Sequence, residues 1–190
     1  MGKKNIDWCR YVMNHETHRL VSNLNYSKMS AFEISGSRWQ KFPFASYSSS
    51  VYPEFDLMVN PTSTELYDIV LAEQVLEHVR NPYKALDTVR KILKPGGFFL
   101  STTPFLLKVH GSPKGKIPID YWRWTPLGIK TLFEDCGFDT IKVDSWGNKK
   151  CVEAYLRFES LGPFDPNNCS LENEHDSPIM IWILGMKKND

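Results

Sequence analysis

The stretch from Tyr67 to Phe105, YDIVLAEQVLEHVRNPYKALDTVRKILKPGGFFLSTTPF, constrains the fold more than any other part of the chain. Its first seven residues are an apolar, β-branched run of strand length. EHVRNP follows as a polar joint in which Asn81 can cap a helix and Pro82 suits its first turn. From Pro82 onward Ala85, Leu86, Val89, Ile92 and Leu93 recur at helical spacing, so one face packs while the other carries Lys84, Asp87, Arg90 and Lys91. Lys94-Pro95-Gly96-Gly97 ends the helix, because proline cannot continue it and glycine turns left-handed at little cost. FFLSTTP then reads as a second buried strand. Two strands joined through a helix run parallel with a right-handed crossover, and an open parallel sheet binds ligands beyond the C-terminal ends of its strands. Those ends are Glu73-Gln74 and Thr103-Pro104.

On the N-terminal side, Ile6, Cys9, Met13, Leu20 and Leu24 predict a helix over residues 6–24. His15 and His18 lie on it in HETH, which is not the HExxH metal pattern and reads as solvated or capping histidines. SKMSAFEIS, residues 27–35, predicts the first strand, and Arg38 to Phe42 leaves room for a turn or two of helix before Pro43. Ala45 to Val51 is the expected second strand and Phe55 to Val59 the third, ending at Asn60-Pro61, which reads equally well as a turn. After the central unit, residues 105–120 form a loop rich in Gly, Pro and Lys, long enough to be a lid or a substrate element. Thr125-Pro126 starts a helix with Leu127, Leu132, Phe133 and Cys136 as its inner face and Gly137 as its end. A strand over 139–146, a helix over 151–160, a polar and loose segment over 162–177, and a last strand from Pro178 complete the chain.

A chain of 190 residues suits one domain, with residues 1–26 a helical cap and 27–190 the core. The net charge of +1 argues against a broad electrostatic grip on nucleic acid or an anionic membrane. Cys9, Cys136, Cys151 and Cys169 lie far apart without CxxC pairs, which suits reduced thiols inside a cell. No apolar run reaches membrane-spanning length and the first residues lack a signal peptide's apolar core, so a cytoplasmic protein is expected. The abrupt start equally fits a domain of a longer multidomain chain.

D-I-V-L-A-x-Q-V-L-E-H-V-x-N-P, followed by L-K-P-G-G and a strand ending T-P-F, resembles the class I S-adenosylmethionine-dependent methyltransferases, in the compact type whose fourth strand leads into an LEH turn. L-K-P-G-G alone is a generic helix stop; the order and spacing of the pieces carry the likeness. The resemblance implies an α/β, Rossmann-like fold: a mainly parallel seven-stranded sheet with its last strand antiparallel, helices on both faces, and here a shortened cofactor-binding half. It implies S-adenosyl-L-methionine as cofactor and S-adenosyl-L-homocysteine as product. Glu33-Ile34-Ser35-Gly36-Ser37 stands where the family has acid-x-Gly-x-Gly-x-Gly, with one of the three glycines present. Glu33, Ser35, Gly36 and Ser37 are therefore expected at the cofactor, against the competing reading of an ordinary strand-to-helix turn. The acid that takes both ribose hydroxyls is missing from the end of the second strand. Tyr47, Ser48 and Ser50 stand there instead, Glu54 and Asp56 follow, and serine cannot match a carboxylate's two-hydroxyl geometry. The resemblance puts Asn60 near the adenine amino group, and Tyr47, Asp56, Glu73 and Gln74 complete the expected cofactor set.

Methyl transfer from a sulfonium is an in-line displacement in which positioning can supply much of the rate. An alcohol nucleophile also needs a base or metal to take its proton. Glu77, His78, His110 and Asp120 qualify by position. His110, Asp120 or His78 is expected to take the proton: His110 has a base's pKa range, Asp120 could orient it or act itself, and His78 competes with a capping or core role. Some relatives read Glu-x-x-Glu-His and bind Mg2+. Gln74 replaces the first acid here, so Mg2+, for which Glu77 and His78 would be the ligands, is not favoured. Asp120-Tyr121-Trp122-Arg123 resembles a D-Y-W-R-x-T-P segment of methyltransferases encoded beside glycan-synthesis enzymes. That places Tyr121, Trp122 and Arg123 at a sugar, whose apolar face stacks on indole while its hydroxyls meet Arg and Asp. The competing reading makes Trp122 and Trp124 core residues. The expected function is O-methylation of a sugar hydroxyl on a glycan or nucleotide sugar. The alternatives are a small-metabolite or RNA-ribose acceptor, or a catalytically silent module that binds a partner chain.

Overall fold

The computed structural model describes residues 7–62, 64–111, 119–157 and 164–189. Six strands, β1 (Ser30–Ile34), β2 (Ser46–Ser50), β3 (Tyr67–Glu73), β4 (Leu93–Pro104), β5 (Phe138–Trp146) and β6 (Met180–Lys187), form one sheet in the order β2-β1-β3-β4-β6-β5. β2, β1, β3 and β4 pair in parallel, and β6 inserts antiparallel between β4 and β5. Helices α1 (Trp8–Ser22), α2 (Pro82–Ile92), α3 (Pro126–Asp135) and α4 (Lys149–Arg157) surround it. The result is an α/β, mainly parallel sheet with its last strand antiparallel. Among the described residues no helix is long and apolar enough to cross a membrane.

The central unit follows its local chemistry. The Asn81 side chain accepts the Lys84 N–H at 3.1 Å, Pro82 opens α2, and β4 begins directly where α2 ends. Gly96, at φ 69°, takes the left-handed turn in the irregular start of β4, where the register against β3 slips between Tyr67 and Ile69. Alternation along β3 sends Ile69 and Leu71 into a core under α1 and Val70 and Ala72 into a second core under α2 and α3. Both faces are thereby covered, as a parallel sheet requires.

Phe55–Val59 is a turn rather than the expected strand, so among the described residues six strands stand where seven were expected. The N–H groups a ladder would need are used locally: Met58 donates to the Asp56 side chain at 2.8 Å, Val59 to the Asp56 carbonyl at 3.0 Å and Phe55 to Val51 at 3.0 Å. Phe55 and Leu57 still serve the core, Phe55 edge-on to Phe32 at 5.0 Å. On α3 the buried face is Ile129, Leu132 and Phe133, with Cys136 packed against the same core, while Leu127 is 71% exposed. Positions 129, 132, 133 and 136 share one helical stripe, and 127 falls outside it. The N-terminal helix is shorter than the 6–24 expected, and residues 26–28 form a 3-10 turn before β1. Residues 1–6, the loop residues 112–118 and the end of the expected last helix at 158–160 lie outside the described residues. Residues 170–174 are stitched down rather than loose: Trp8 and Asn148 donate to the Ser170 carbonyl, Trp146 to Leu171, and Asn173 exchanges hydrogen bonds with Gly147 and Ser145.

Candidate active site

The parallel strands bring Ile34-Ser35, Glu73-Gln74, Pro104 and Trp146 to one edge of the sheet. The buried Glu33 carboxylate organises the loop after β1. It accepts the Arg38 N–H at 3.0 Å, the Trp39 N–H at 2.9 Å and the Tyr47 hydroxyl at 2.7 Å. Burial, followed by the bond to Glu33, pushes the Tyr47 hydroxyl up to about 12. Ser35 sits at φ 61°, in the left-handed region glycine occupies more cheaply, while its N–H bonds to Ser50 at 2.8 Å. The one retained glycine has a steric reason: a Cβ on Gly36 would lie 2.2 Å from Glu33 Oε1. Three hydrogen bonds keep that carboxylate from swinging aside. Gly36→Ala is therefore expected to cost about 2–3 kcal/mol in urea denaturation.

Beside this loop an open pocket of about 470 Å³ is lined by Gly36, Ser37, Ser49, Ser50, Val51 and Glu54. That volume is within the range of small-molecule sites. Its carboxylate is Glu54, which follows β2 by four residues. Asp56 turns back onto Met58, and the Asn60 side chain accepts Lys84 and Lys91 on the α2 surface, so neither belongs to this pocket.

Trp39, fully buried, bridges the ends of β1 and β3, its backbone N–H donating to Glu33 and its indole N–H to Glu73 Oε1 at 3.1 Å. His18 packs one edge against Trp39 at 4.6 Å while the residue stays exposed to solvent, and its partial burial lowers its pKa. His15 is exposed beside Glu16. The second oxygen of Glu73 faces Arg10 NH1 at 4.0 Å. That oxygen, that guanidinium nitrogen and the Asn14 carbonyl oxygen are buried without hydrogen-bond partners. Burial raises the Glu73 carboxyl and lowers the Arg10 guanidinium, so desolvation outweighs their mutual attraction in both. Such orphaned groups are uncommon, and a ligand is one way to satisfy them. Arg10 and Asn14 were not among the sequence candidates. Their four-residue spacing puts them on one helix face, which was the available signal. Gln74, at φ 57°, ties its N–H and side-chain amide to Thr102.

Beyond β3 the LEH turn meets the segment that follows the long loop. Tyr121 N–H donates to the Glu77 carbonyl at 2.7 Å and the Trp122 indole to the Val79 carbonyl at 2.8 Å, while His78 Nδ1 lies 3.1 Å from the Ile119 carbonyl. This docking joins two motifs some forty residues apart and assembles Glu77, His78, His110, Asp120 and Arg123. The Asp120 carboxylate is 1% exposed, grips Arg123 through both oxygens, accepts the His110 N–H at 3.0 Å and faces His110 Nδ1 at 3.1 Å. Burial would raise its pKa, but the Arg123 and His110 bonds prevail and hold it below the ordinary range. Arg123 also donates to the carbonyls of Lys108 and Trp122, so it points to its own loop rather than outward. The His78 and His110 rings stand 5.1 Å apart at 82°. Burial lowers His78, with His110 adding to it, and burial drives the Glu77 carboxyl up to about 8. Trp124 is in the core and Trp122, stacked on it at 5.9 Å, is 37% exposed next to Tyr121 at 45%.

A family model described as a methyltransferase domain matches residues 13–143, more than half of the chain. Over 142 residues the chain is 27% identical to a tRNA U34 carboxymethyltransferase of Hahella chejuensis, covering 67% of this chain and 43% of that protein. Over 64 residues it is 42% identical to a ubiquinone biosynthesis O-methyltransferase of Caulobacter vibrioides, covering 33% of this chain and 25% of that protein. It thus spans less than half the length of either relative. A solved SAM-dependent methyltransferase from Methanosarcina mazei matches at a TM-score of 0.55 and 11% identity, over 90% of this chain and 98% of that one, a likeness of fold.

Proposed function

The chain belongs to the class I S-adenosylmethionine-dependent methyltransferases, and from that premise we propose that it transfers a methyl group from S-adenosylmethionine to a hydroxyl oxygen of a sugar, on a glycan or a nucleotide sugar. The cofactor supplies an electrophilic methyl carbon on a positively charged sulfur. The residues present fit its two ends. Gly36, Ser37, Ser49 and Ser50 would line the adenosyl end, with Glu54 as the acceptor for ribose hydroxyls. An amino acid carries one carboxylate and one ammonium, matching the Arg10 nitrogen and the Glu73 oxygen, which face each other at 4.0 Å without a hydrogen bond to either.

The observation that carries the hydroxyl acceptor is the group of His78, His110 and Asp120 beyond the ends of β3 and β4. Two imidazoles there can draw the proton from an attacking hydroxyl, and Asp120, immobilised by Arg123, positions the His110 ring. The exposed Tyr121 and Trp122 offer the face on which a sugar ring stacks. A relative named as an O-methyltransferase also favours oxygen, and the cytoplasm is the setting we assign, in keeping with four free thiols.

Incubating the protein with radiolabelled S-adenosylmethionine and a panel of glycosides, catechols, amines and RNA tests the acceptor. Label on glycosides is the expected result; label on amines or RNA alone would overturn the sugar assignment. Absence of calorimetric heat with S-adenosylhomocysteine would overturn the transferase reading itself.

A further inference from the structure

We propose that Glu77, His78 and His110 together hold one divalent transition-metal ion. The inference rests on the reading above that the acceptor hydroxyl is activated at this cluster; with an ion bound, the ion would lower that hydroxyl's pKa and the two imidazoles would serve as its ligands instead of as the base.

One donor atom from each of the three side chains lies within 4.8 Å of the others. Glu77 is fully buried, yet neither carboxylate oxygen has a hydrogen-bond partner. A buried carboxyl of that kind either keeps its proton or takes a cation, and the two imidazoles beside it offer the rest of a cation's ligands. The two histidines are already oriented as ligands. His78 Nδ1 is engaged by the Ile119 carbonyl at 3.1 Å, which leaves Nε2 with its lone pair facing Glu77 Oε1 at 3.8 Å. His110 Nδ1 is engaged by Asp120 Oδ2 at 3.1 Å, which likewise leaves Nε2 free. A carbonyl behind one imidazole and a carboxylate behind the other is the outer-shell pattern that fixes the tautomer and raises the basicity of metal-bound histidine. Asp120, gripped by Arg123, belongs to that outer shell.

The donor set also selects the ion. One carboxylate with two imidazoles suits zinc, cobalt, iron or nickel, whereas Mg2+ and Ca2+ want oxygens throughout. Gln74, whose backbone and side-chain N–H groups donate to Thr102, is not among the three clustered donors. Donors about 2.1 Å from a tetrahedral ion stand about 3.4 Å apart, so the ring atoms need to close by an ångström or so. Three protein ligands leave a position open for an acceptor oxygen, whose pKa the ion would lower.

Chelator-treated protein titrated with Co2+ should bind one ion per chain and develop the visible absorption of a low-coordinate cobalt site. His110→Ala and Glu77→Gln should each weaken Co2+ binding about 100-fold, whereas His15→Ala, on the exposed face of α1, should not. Should Glu77→Gln fail to fold by circular dichroism, His110→Ala decides alone, since that side chain is 30% exposed and its loss leaves the core intact. No Co2+ uptake by the wild type, or uptake indifferent to His110→Ala, overturns the site. Calorimetry with S-adenosylhomocysteine on the metal-free protein separates the two readings. Homocysteine-product binding without a cobalt site overturns the ion alone, and a cobalt site without product binding upholds the ion while overturning the transferase reading.

Discussion

Glu33→Ala is expected to lose about 3–5 kcal/mol of folding stability, a fall of roughly 10 °C in Tm for a domain of this size. The carboxylate is the shared acceptor for Arg38 N–H, Trp39 N–H and the Tyr47 hydroxyl, so its removal orphans three donors at once, one of them fully buried. An unsatisfied buried donor costs about 1–3 kcal/mol, and the methylenes of a buried side chain add to that. The damage is directional. Without the carboxylate the 3-10 turn at Arg38–Lys41 loses two of its bonds to β1, and the indole of Trp39, which donates to Glu73, loses its backbone restraint. S-adenosylhomocysteine affinity should fall with stability, because Gly36 and Ser37 line the pocket on the same loop. Tyr47→Phe provides the scale: it deletes one of the three bonds and should cost about 1–2 kcal/mol. A Glu33→Ala protein that melts within two or three degrees of wild type would show that this carboxylate does not organise the loop.

The contrast between Glu33 and Arg10 shows what a sequence can disclose. The strand-helix-strand unit from Tyr67 to Pro104 was legible because every signal in it is local: an apolar run, an Asn cap, a Pro start, a helical stripe and a Gly-Gly turn. The Phe55–Val59 run was misread for a local reason too. Its apolar residues are real core residues, but the Asp56 side chain diverts the backbone donors into a turn, and hydrophobicity does not register that competition. Leu127 shows the limit of periodicity when a helix start is known but its phase is not. Glu33 and Gly36 could be named from the loop's resemblance, whereas the reason for Gly36, the carboxylate passing beneath it, is a steric contact with no sequence signature. His78, His110 and Asp120 were nameable singly. Their common placement depends on the hydrogen bonds that lay residues 119–122 along residues 77–79, a tertiary contact without a local signature. The inward turn of Arg123 onto Asp120 belongs to the same contact, since an arginine among aromatics reads from sequence as an outward-facing hand. Arg10 and Glu73 lie on different elements, and nothing in the residues near either announces the other.

Arg10 and Glu73 give the second large effect, in cofactor affinity rather than in folding. Arg10→Met combined with Glu73→Gln is expected to leave stability unchanged or raise it by about 1 kcal/mol, because a poorly satisfied buried ion pair replaced by neutral groups of similar size stops incurring its desolvation cost. The Trp39 indole N–H retains an amide oxygen to donate to. The Kd for S-adenosylhomocysteine should nevertheless rise about 100-fold, near 2.7 kcal/mol, as both charges matched to the amino-acid end are lost. Arg10→Met alone separates the electrostatics from the packing. It leaves Glu73 buried without its nearest cation, so a carboxyl already raised by burial moves further up. A carboxyl whose folded-state pKa exceeds its unfolded value binds its proton more tightly in the native state, so the native state loses stability as pH rises. The single variant's deficit should therefore be small below about pH 4, near the ordinary glutamate pKa, and grow as pH climbs through the folded-state value; the double variant, which cannot titrate there, should show no such growth. Thermal melts across that range, with calorimetric titration of S-adenosylhomocysteine at neutral pH, measure both. If the double variant binds the product as tightly as wild type, the amino-acid end of the cofactor does not lie at Arg10 and Glu73. A single variant with a pH-independent deficit would mean instead that Arg10 supports the fold through its aliphatic stem and not through its charge.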